Sequence, residues 1–206
     1  MIALIDYRAG NLTSVKKALA ALGADVLVPE HPDQLGNASG IIVPGVGHFG
    51  ATRALDQDWV EAVVDRVGHG RPLLGICLGM QWLFESSDEA PDVHGLGLLA
   101  GNCYRLGANR SMADPEVTIK IPHVGWNRLI IERDGWITDG VSPGAQVYFT
   151  HSYVAPVTGE TLAVAEHGER FAAIVQRAQV AGVQFHPEKS GDVGLQILRN
   201  FVELAG

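Results

Sequence analysis

Short apolar runs and helical patterns alternate along the first half of the chain. Residues 2–5, "IALI", are apolar at every position and read as a strand covered on both faces. In residues 12–22, "LTSVKKALAAL", Leu12, Val15, Leu19 and Leu22 share one helical face, and Gly23 supplies a stop. "DVLVP" (25–29) and "GIIVPG" (40–45) are two more strand-like runs, and "DQDWVEAVVDRVGHG" (56–70) predicts a helix closed by glycines. "RPLLGI" (71–76) is another buried strand, and "LGMQWLFESS" (78–87) predicts another helix. Strands alternating with helices predict an α/β fold, a doubly wound and mostly parallel sheet with helices on both faces.

The pattern changes after residue 100. "NCYRL", "VTIKI", "NRLII", "QVYFTHSYV", "TLAVAEH", "FAAIVQ" and "VAGVQF" are short strand candidates with few helices between them. They predict extra antiparallel hairpins or edge strands in the C-terminal half. The final "GLQILRNFVELAG" predicts a helix burying Leu195, Leu198 and Phe201 or Val202. There is no repeat, low-complexity tract or linker, so residues 1–206 are expected to form one domain.

Charge and cysteine usage narrow the function classes. Fifteen Lys and Arg against 23 Asp and Glu leave a formal charge of −8. That disfavours nucleic acid or an anionic membrane as partner, since both need a basic footprint. No apolar run approaches the ~20 residues that span a bilayer. "MIALIDYRAG" turns polar at Asp6, unlike a secretory leader, so a cytoplasmic location is expected. The two cysteines, Cys77 and Cys103, are expected to be reduced, with Cys103 a packing residue in "GNCYRL". They lack metal-ligand spacing and the eight histidines form no HExxH pattern, so neither metal nor cofactor is expected.

Three stretches carry candidate chemistry. "GICLGMQ" (75–81) places Cys77 between a strand and a helix, where ligands of an open parallel sheet bind. A helix N-terminus favours the thiolate, the reactive form of cysteine. G-x-C-x-G is the cysteine version of the nucleophile elbow, in which the N–H after the nucleophile, here that of Leu78, points into an oxyanion site. Gly75 and Gly79 leave room on either side, and Gln81 lies one turn on along the same helix face. "VQFHPEKSG" (183–191) offers His186 as a base and Glu188, two residues on, to orient it. His48, His123 and His151 also follow apolar runs, and periodicity does not choose among the four. "VPGVGHFG" (43–50) is glycine-rich after a strand and lacks the Lys-Ser/Thr of a P-loop; an oxyanion loop beside Cys77 explains it better than a dinucleotide site.

These stretches, in this order, resemble a class I triad glutamine amidotransferase, whose fold is flavodoxin-like. The resemblance assigns the base to His186. "IDYRAGNL", "PGVGHFG", "GICLGMQ", "KIPHVGWN", "VYFTHSY" and "QFHPEKSG" together resemble the family of glutaminase subunits of imidazole glycerol phosphate synthase. That resemblance covers nearly the whole chain. It departs from the family at Arg8, where glycine is usual, and predicts an altered turn there.

The resemblance implies hydrolysis of L-glutamine to glutamate and ammonia through a γ-glutamyl thioester on Cys77. Ammonia would pass to a separate cyclase subunit with a (β/α)₈ barrel, in a heterodimer. The cyclase would form imidazole glycerol phosphate and aminoimidazole carboxamide ribotide in histidine biosynthesis. Cys77, His186 and Glu188 would be catalytic. N–H groups of Leu78 and of Val46 or Gly47 would hold the oxyanion, under control of the cyclase. Gly45, Gln81, Ser152 and Tyr153 would hold the substrate's amino-acid end. Asn11, Trp126, Tyr148 and Lys189 would face the cyclase. Three rival functions stand beside it: a glutaminase for another synthase, a free-standing hydrolase or protease using Cys77 with another histidine, and a DJ-1-like redox or binding protein.

Overall fold

The computed structural model describes residues 1–107 and 119–206. The first half holds β1 (Ile2–Leu4), α1 (Leu12–Ala21), β2 (Val26–Leu27), β3 (Gly40–Val43), α2 (Gln57–Gly68), β4 (Leu73–Ile76) and α3 (Leu78–Trp82). The second holds β5 (Ser86–Ser87), β6 (Asn102–Arg105), β7 (His123–Arg128), β8 (Ile130–Ile131), β9 (Gln146–His151), β10 (Tyr153–Val154), β11 (Thr161–Glu166), β12 (Arg170–Arg177), β13 (Val180–Val183) and α4 (Gly191–Ala205).

An eight-stranded sheet in the order β2-β1-β3-β4-β13-β12-β11-β8 organises these elements. Pairing is parallel from β2 through β13 and antiparallel from there to β8. Every residue of β1, β3, β4 and β13 is buried, as expected of strands covered on both sides. Neighbouring residues on a strand point to opposite faces. Ile42 and Leu74 therefore pack with Val15 and Leu19 of α1 and Leu198 and Phe201 of α4. Ile41, Val43 and Leu73 pack on the other side with Val63 of α2 and Met80 and Trp82 of α3. Each such side chain contributes about 1.5–3 kcal/mol when withdrawn from water.

The C-terminal strand runs supply the antiparallel part of the sheet and two smaller sheets, β10-β6-β5 and β7-β9. Two predicted helices differ in detail. α3 ends at Trp82 instead of continuing to Ser87, because the backbone beyond it finds other partners. Leu96 N–H donates to the Trp82 carbonyl, Gly95 N–H to that of Glu85, and Glu85 N–H to that of Gly101. In α4 the buried stripe is Gly194, Ile197, Leu198, Phe201 and Ala205, while Leu195 is only half-buried. The expected Leu198 and Phe201 are buried; only Leu195 departs, because the first turn lies on the Pro187 backbone, where a side chain at Gly194 would overlap the Pro187 carbonyl. The strand expected at "VTIKI" (117–121) lies partly outside the described residues. Among the described residues, no helix is long and apolar enough to cross a membrane.

Candidate active site

The nucleophile candidate sits on a strained turn. Cys77 links β4 to α3 with φ +53° and ψ −105°, a conformation that costs a non-glycine residue about 1–3 kcal/mol. Its surroundings hold it there. Cys77 N–H donates to the Val183 carbonyl at 2.7 Å, and its carbonyl accepts from Gln81 N–H at 3.1 Å. The flanking glycines are required for space: a Cβ on Gly75 would come within 2.5 Å of the Gly79 carbonyl, and one on Gly79 would overlap the Val43 carbonyl.

His186 and Glu188 follow β13, the strand paired with β4. Their side chains are 2% and 1% exposed, and His186 Nδ1 lies 2.9 Å from Glu188 Oε1. His186 Nε2 is buried without a hydrogen-bond partner among the described residues. Burial acts against its imidazolium, but the neighbouring Cys77 and Glu188 side chains outweigh that, raising His186 to about 9.

The other histidines are engaged elsewhere. His48 accepts from Gly50 N–H at 2.9 Å and is exposed. His123 and His151 form a buried chain, and His151 lies in the wall of the cavity beside Cys77. His151 Nδ1 lies 3.1 Å from the Tyr153 carbonyl, and its Nε2 lies 3.1 Å from His123 Nδ1. His123 Nε2 lies 3.2 Å from Asn127 Nδ2. With Nδ1–H on both rings every contact pairs a donor with an acceptor. Burial, then His167, pushes His123 down to about 3, while burial and His123 lower His151, so both rings stay neutral.

A cavity of about 270 Å³ opens over Cys77, lined among others by Val46, Gly47, Leu78, Gln81, Ser152 and Tyr153. Its size suits a small metabolite. Gly45 does not line it. Gln81 Nε2 donates to the Tyr153 carbonyl at 2.9 Å and to Gln184 Oε1 at 3.1 Å. Gln184 Nε2 in turn reaches Cys77 Sγ at 3.6 Å. Gln184 carries no motif in the sequence, because only the pairing of β13 with β4 brings it beside the thiol.

Of the N–H groups expected at the oxyanion site, those of Leu78 and Val46 are engaged with carbonyls. Leu78 N–H donates to Gly45 O at 3.4 Å, and Val46 N–H donates to Ala9 O at 3.3 Å. Arg8 holds φ +62°, the left-handed region that glycine favours, with its N–H on Asp6 Oδ1 at 2.8 Å. The departure from glycine therefore leaves a glycine-like turn in place, with an arginine in it.

Cys103 is buried, and its thiol lies 3.8 Å from the Gln81 carbonyl. Burial, then Asp88, pushes its pKa well up, so it is a poor nucleophile. Both cysteines are free thiols. Trp126, Tyr148 and Lys189 gather on one surface. Trp126 is 58% exposed and edge-on to Tyr148 at 6.1 Å, and Lys189 Nζ lies 5.8 Å from the Tyr148 ring centre. Asn11 caps the start of α1 without a side-chain bond. Among the described residues, no group of three or more His, Cys, Asp or Glu side chains is arranged to hold a metal ion.

An elbow cysteine, a buried His–Glu pair and a doubly wound sheet define a class of enzyme, and sequence comparison agrees. Residues 3–204 match the family described as "Glutamine amidotransferase class-I", and the chain belongs to that family. Within it, the chain is 43% identical to the imidazole glycerol phosphate synthase subunit HisH of Bacillus cereus, over 98% of this chain and 93% of that protein. It is 41% identical to the HisH subunit of Methanothermobacter thermautotrophicus, over 99% and 98%. The chain is thus a member of the HisH family of glutamine amidotransferase subunits, an enzyme of histidine biosynthesis. Solved structures agree on the fold. A crystal structure of glutamine amidotransferase superposes with TM-score 0.75 at 23% identity, over 100% of both chains. PurLQS from Thermotoga maritima superposes with TM-score 0.76 at 18% identity, over 98% of this chain and 97% of that one.

Proposed function

We propose that Cys77, His186 and Glu188 hydrolyse L-glutamine to glutamate and ammonia, and that the ammonia passes to a cyclase subunit. The observation that carries this is the buried His186–Glu188 contact at 2.9 Å beside a cysteine held at φ +53° under the cavity.

Cys77 Sγ, as thiolate, adds to the side-chain carboxamide carbon. The carbonyl oxygen becomes an oxyanion that two backbone N–H groups, of Leu78 and of Val46 or Gly47, must stabilise. Collapse expels ammonia, protonated in departure by the His186 imidazolium, and leaves a γ-glutamyl thioester. His186, now neutral, takes a proton from water as it attacks the thioester. Glutamate leaves, and the thiolate and imidazolium are restored. Glu188 keeps Nδ1 protonated and orients the ring. Gln81, Ser152 and Tyr153 position the amino-acid end of glutamine.

In this reading the 206 residues act as one cytoplasmic domain and form a heterodimer with a (β/α)₈ cyclase. Trp126, Tyr148, Lys189 and Asn11 face it. Its docking turns the Gly45–Val46 peptide so that Val46 N–H joins that of Leu78. Cys77→Ala tests the chemistry. Glutamate release in the presence of cyclase should fall by at least about 10⁴-fold while the two chains still co-purify. Retained glutaminase activity would remove Cys77 from the mechanism.

A further inference from the structure

We propose that the Tyr7 hydroxyl is a latch for the oxyanion loop, donating to the Gly45 carbonyl once the Gly45–Val46 peptide turns. Tyr7 is on this account a positioning residue, acting on the reaction through the loop. The inference rests on the amidotransferase reading above and deepens it.

The Gly45 carbonyl and the Val46 N–H belong to one peptide plane. As found, that plane is tied at both ends, its carbonyl to Leu78 N–H at 3.4 Å and its N–H to Ala9 O at 3.3 Å. Half a turn of the plane reverses both groups. Val46 N–H swings towards the side of Leu78, and Leu78 N–H loses its acceptor, so two donors become free for an oxyanion. The same turn leaves the Gly45 carbonyl without a donor. A buried carbonyl without a partner opposes the change, so the turned loop needs a new donor for it.

Tyr7 is positioned to be that donor. It follows β1, is 5% exposed, and its hydroxyl is buried with no hydrogen-bond partner among the described residues. The hydroxyl lies against the pivot of the turning peptide: a Cβ built on Gly45 would overlap Tyr7 Oη and come within 2.8 Å of Leu78 Cβ. Glycine at 45 thus keeps clear the space in which phenol and peptide meet. Burial, and then the charge of Cys77, hold the phenol protonated well above its ordinary range, so it stays a donor at working pH. An orphaned buried hydroxyl raises the energy of the loop as found. The same hydroxyl, once paired, lowers the energy of the turned loop. Tyr7 therefore biases one peptide between two states.

Tyr7→Phe in the full chain, with and without the cyclase, separates this role from simple packing, because phenylalanine keeps the ring. Two rates on Cys77 are read side by side. Acylation by glutamine passes through an oxyanion; alkylation by iodoacetamide does not. In the complex, Tyr7→Phe should slow acylation and kcat about tenfold, the worth of one hydrogen bond to the turned state. KM for glutamine, the alkylation rate and co-purification should be unchanged, and the thermal midpoint equal or higher. Acylation at the unsubstituted rate would overturn the latch, as would acylation and alkylation falling together, which would place the effect at the thiol. If the unsubstituted complex fails to turn over glutamine at all, the amidotransferase reading fails first and the latch with it.

Discussion

The turn at Cys77 and the loop at residues 44–47 face the same cavity but differ in readiness. The Cys77 turn lies between two central parallel strands and a helix, all buried, and its strained backbone is fixed by hydrogen bonds at both ends. His186 and Glu188 beside it are already paired. The loop carries N–H donors too, yet that of Val46 is bonded to the Ala9 carbonyl, and the Gly45 carbonyl of the same peptide occupies Leu78 N–H. Surrounding secondary structure accounts for the contrast. A residue clamped in a sheet has one conformation, whereas a peptide following a strand end between glycines can exchange one set of hydrogen bonds for another. On the proposed function, nucleophile and base are thus preorganised, while oxyanion stabilisation depends on a change of state.

The contrast is broken most severely from its rigid side. Glu188→Gln should lower kcat by about 10³–10⁴-fold with little change in KM, because the amide cannot hold the His186 imidazolium in place. A loss within tenfold in steady-state kinetics would make Glu188 a bystander. Gly79→Ala should cost about 3–5 kcal/mol in urea unfolding, since the new Cβ would overlap the Val43 carbonyl and the backbone must yield. A cost under about 1 kcal/mol would mean that the elbow is less constrained than described.

The pH behaviour gives a finer test. His186 is raised from 6.5 to about 9, so its charged form is stabilised by folding. That contribution is complete below about 6.5 and is lost as pH rises through about 9. An NMR titration of the imidazole should find it protonated at neutral pH, with a lower pKa in Cys77→Ala. A normal histidine midpoint in the unsubstituted chain would contradict the pairing. The smallest effect is expected at the other thiol. Cys103→Ala should cost about 1 kcal/mol of stability and leave glutaminase activity within about twofold.

The same division governs what could be seen in the sequence. β1, β3 and β4 were legible because a strand buried on both faces is apolar throughout, and the Asp56–Gly70 helix because its period is regular. The elbow was legible because its glycines flank the cysteine within a few residues. The end of α3 was not, because it is decided by residues 95–101 folding back onto Trp82 and Glu85. Gln184, the His123–His151 chain and Tyr7 carry no local signal either. Their significance arises from neighbours far along the chain: Gln184 from Cys77, His123 from His151, and Tyr7 from Gly45. That Val46 and Leu78 donate to carbonyls here also lies beyond the motif, which supplies the donors and not their direction.

The most direct test of a preformed nucleophile beside an unassembled oxyanion site compares two rates in the chain alone and in its complex with the cyclase. These are ammonia release from glutamine and alkylation of Cys77 by iodoacetamide. Alkylation should be the same in both, while ammonia release should rise by at least about 10²–10³-fold in the complex, the worth of one of the two donors that the turn frees. Equal ammonia release with and without the cyclase would contradict the account.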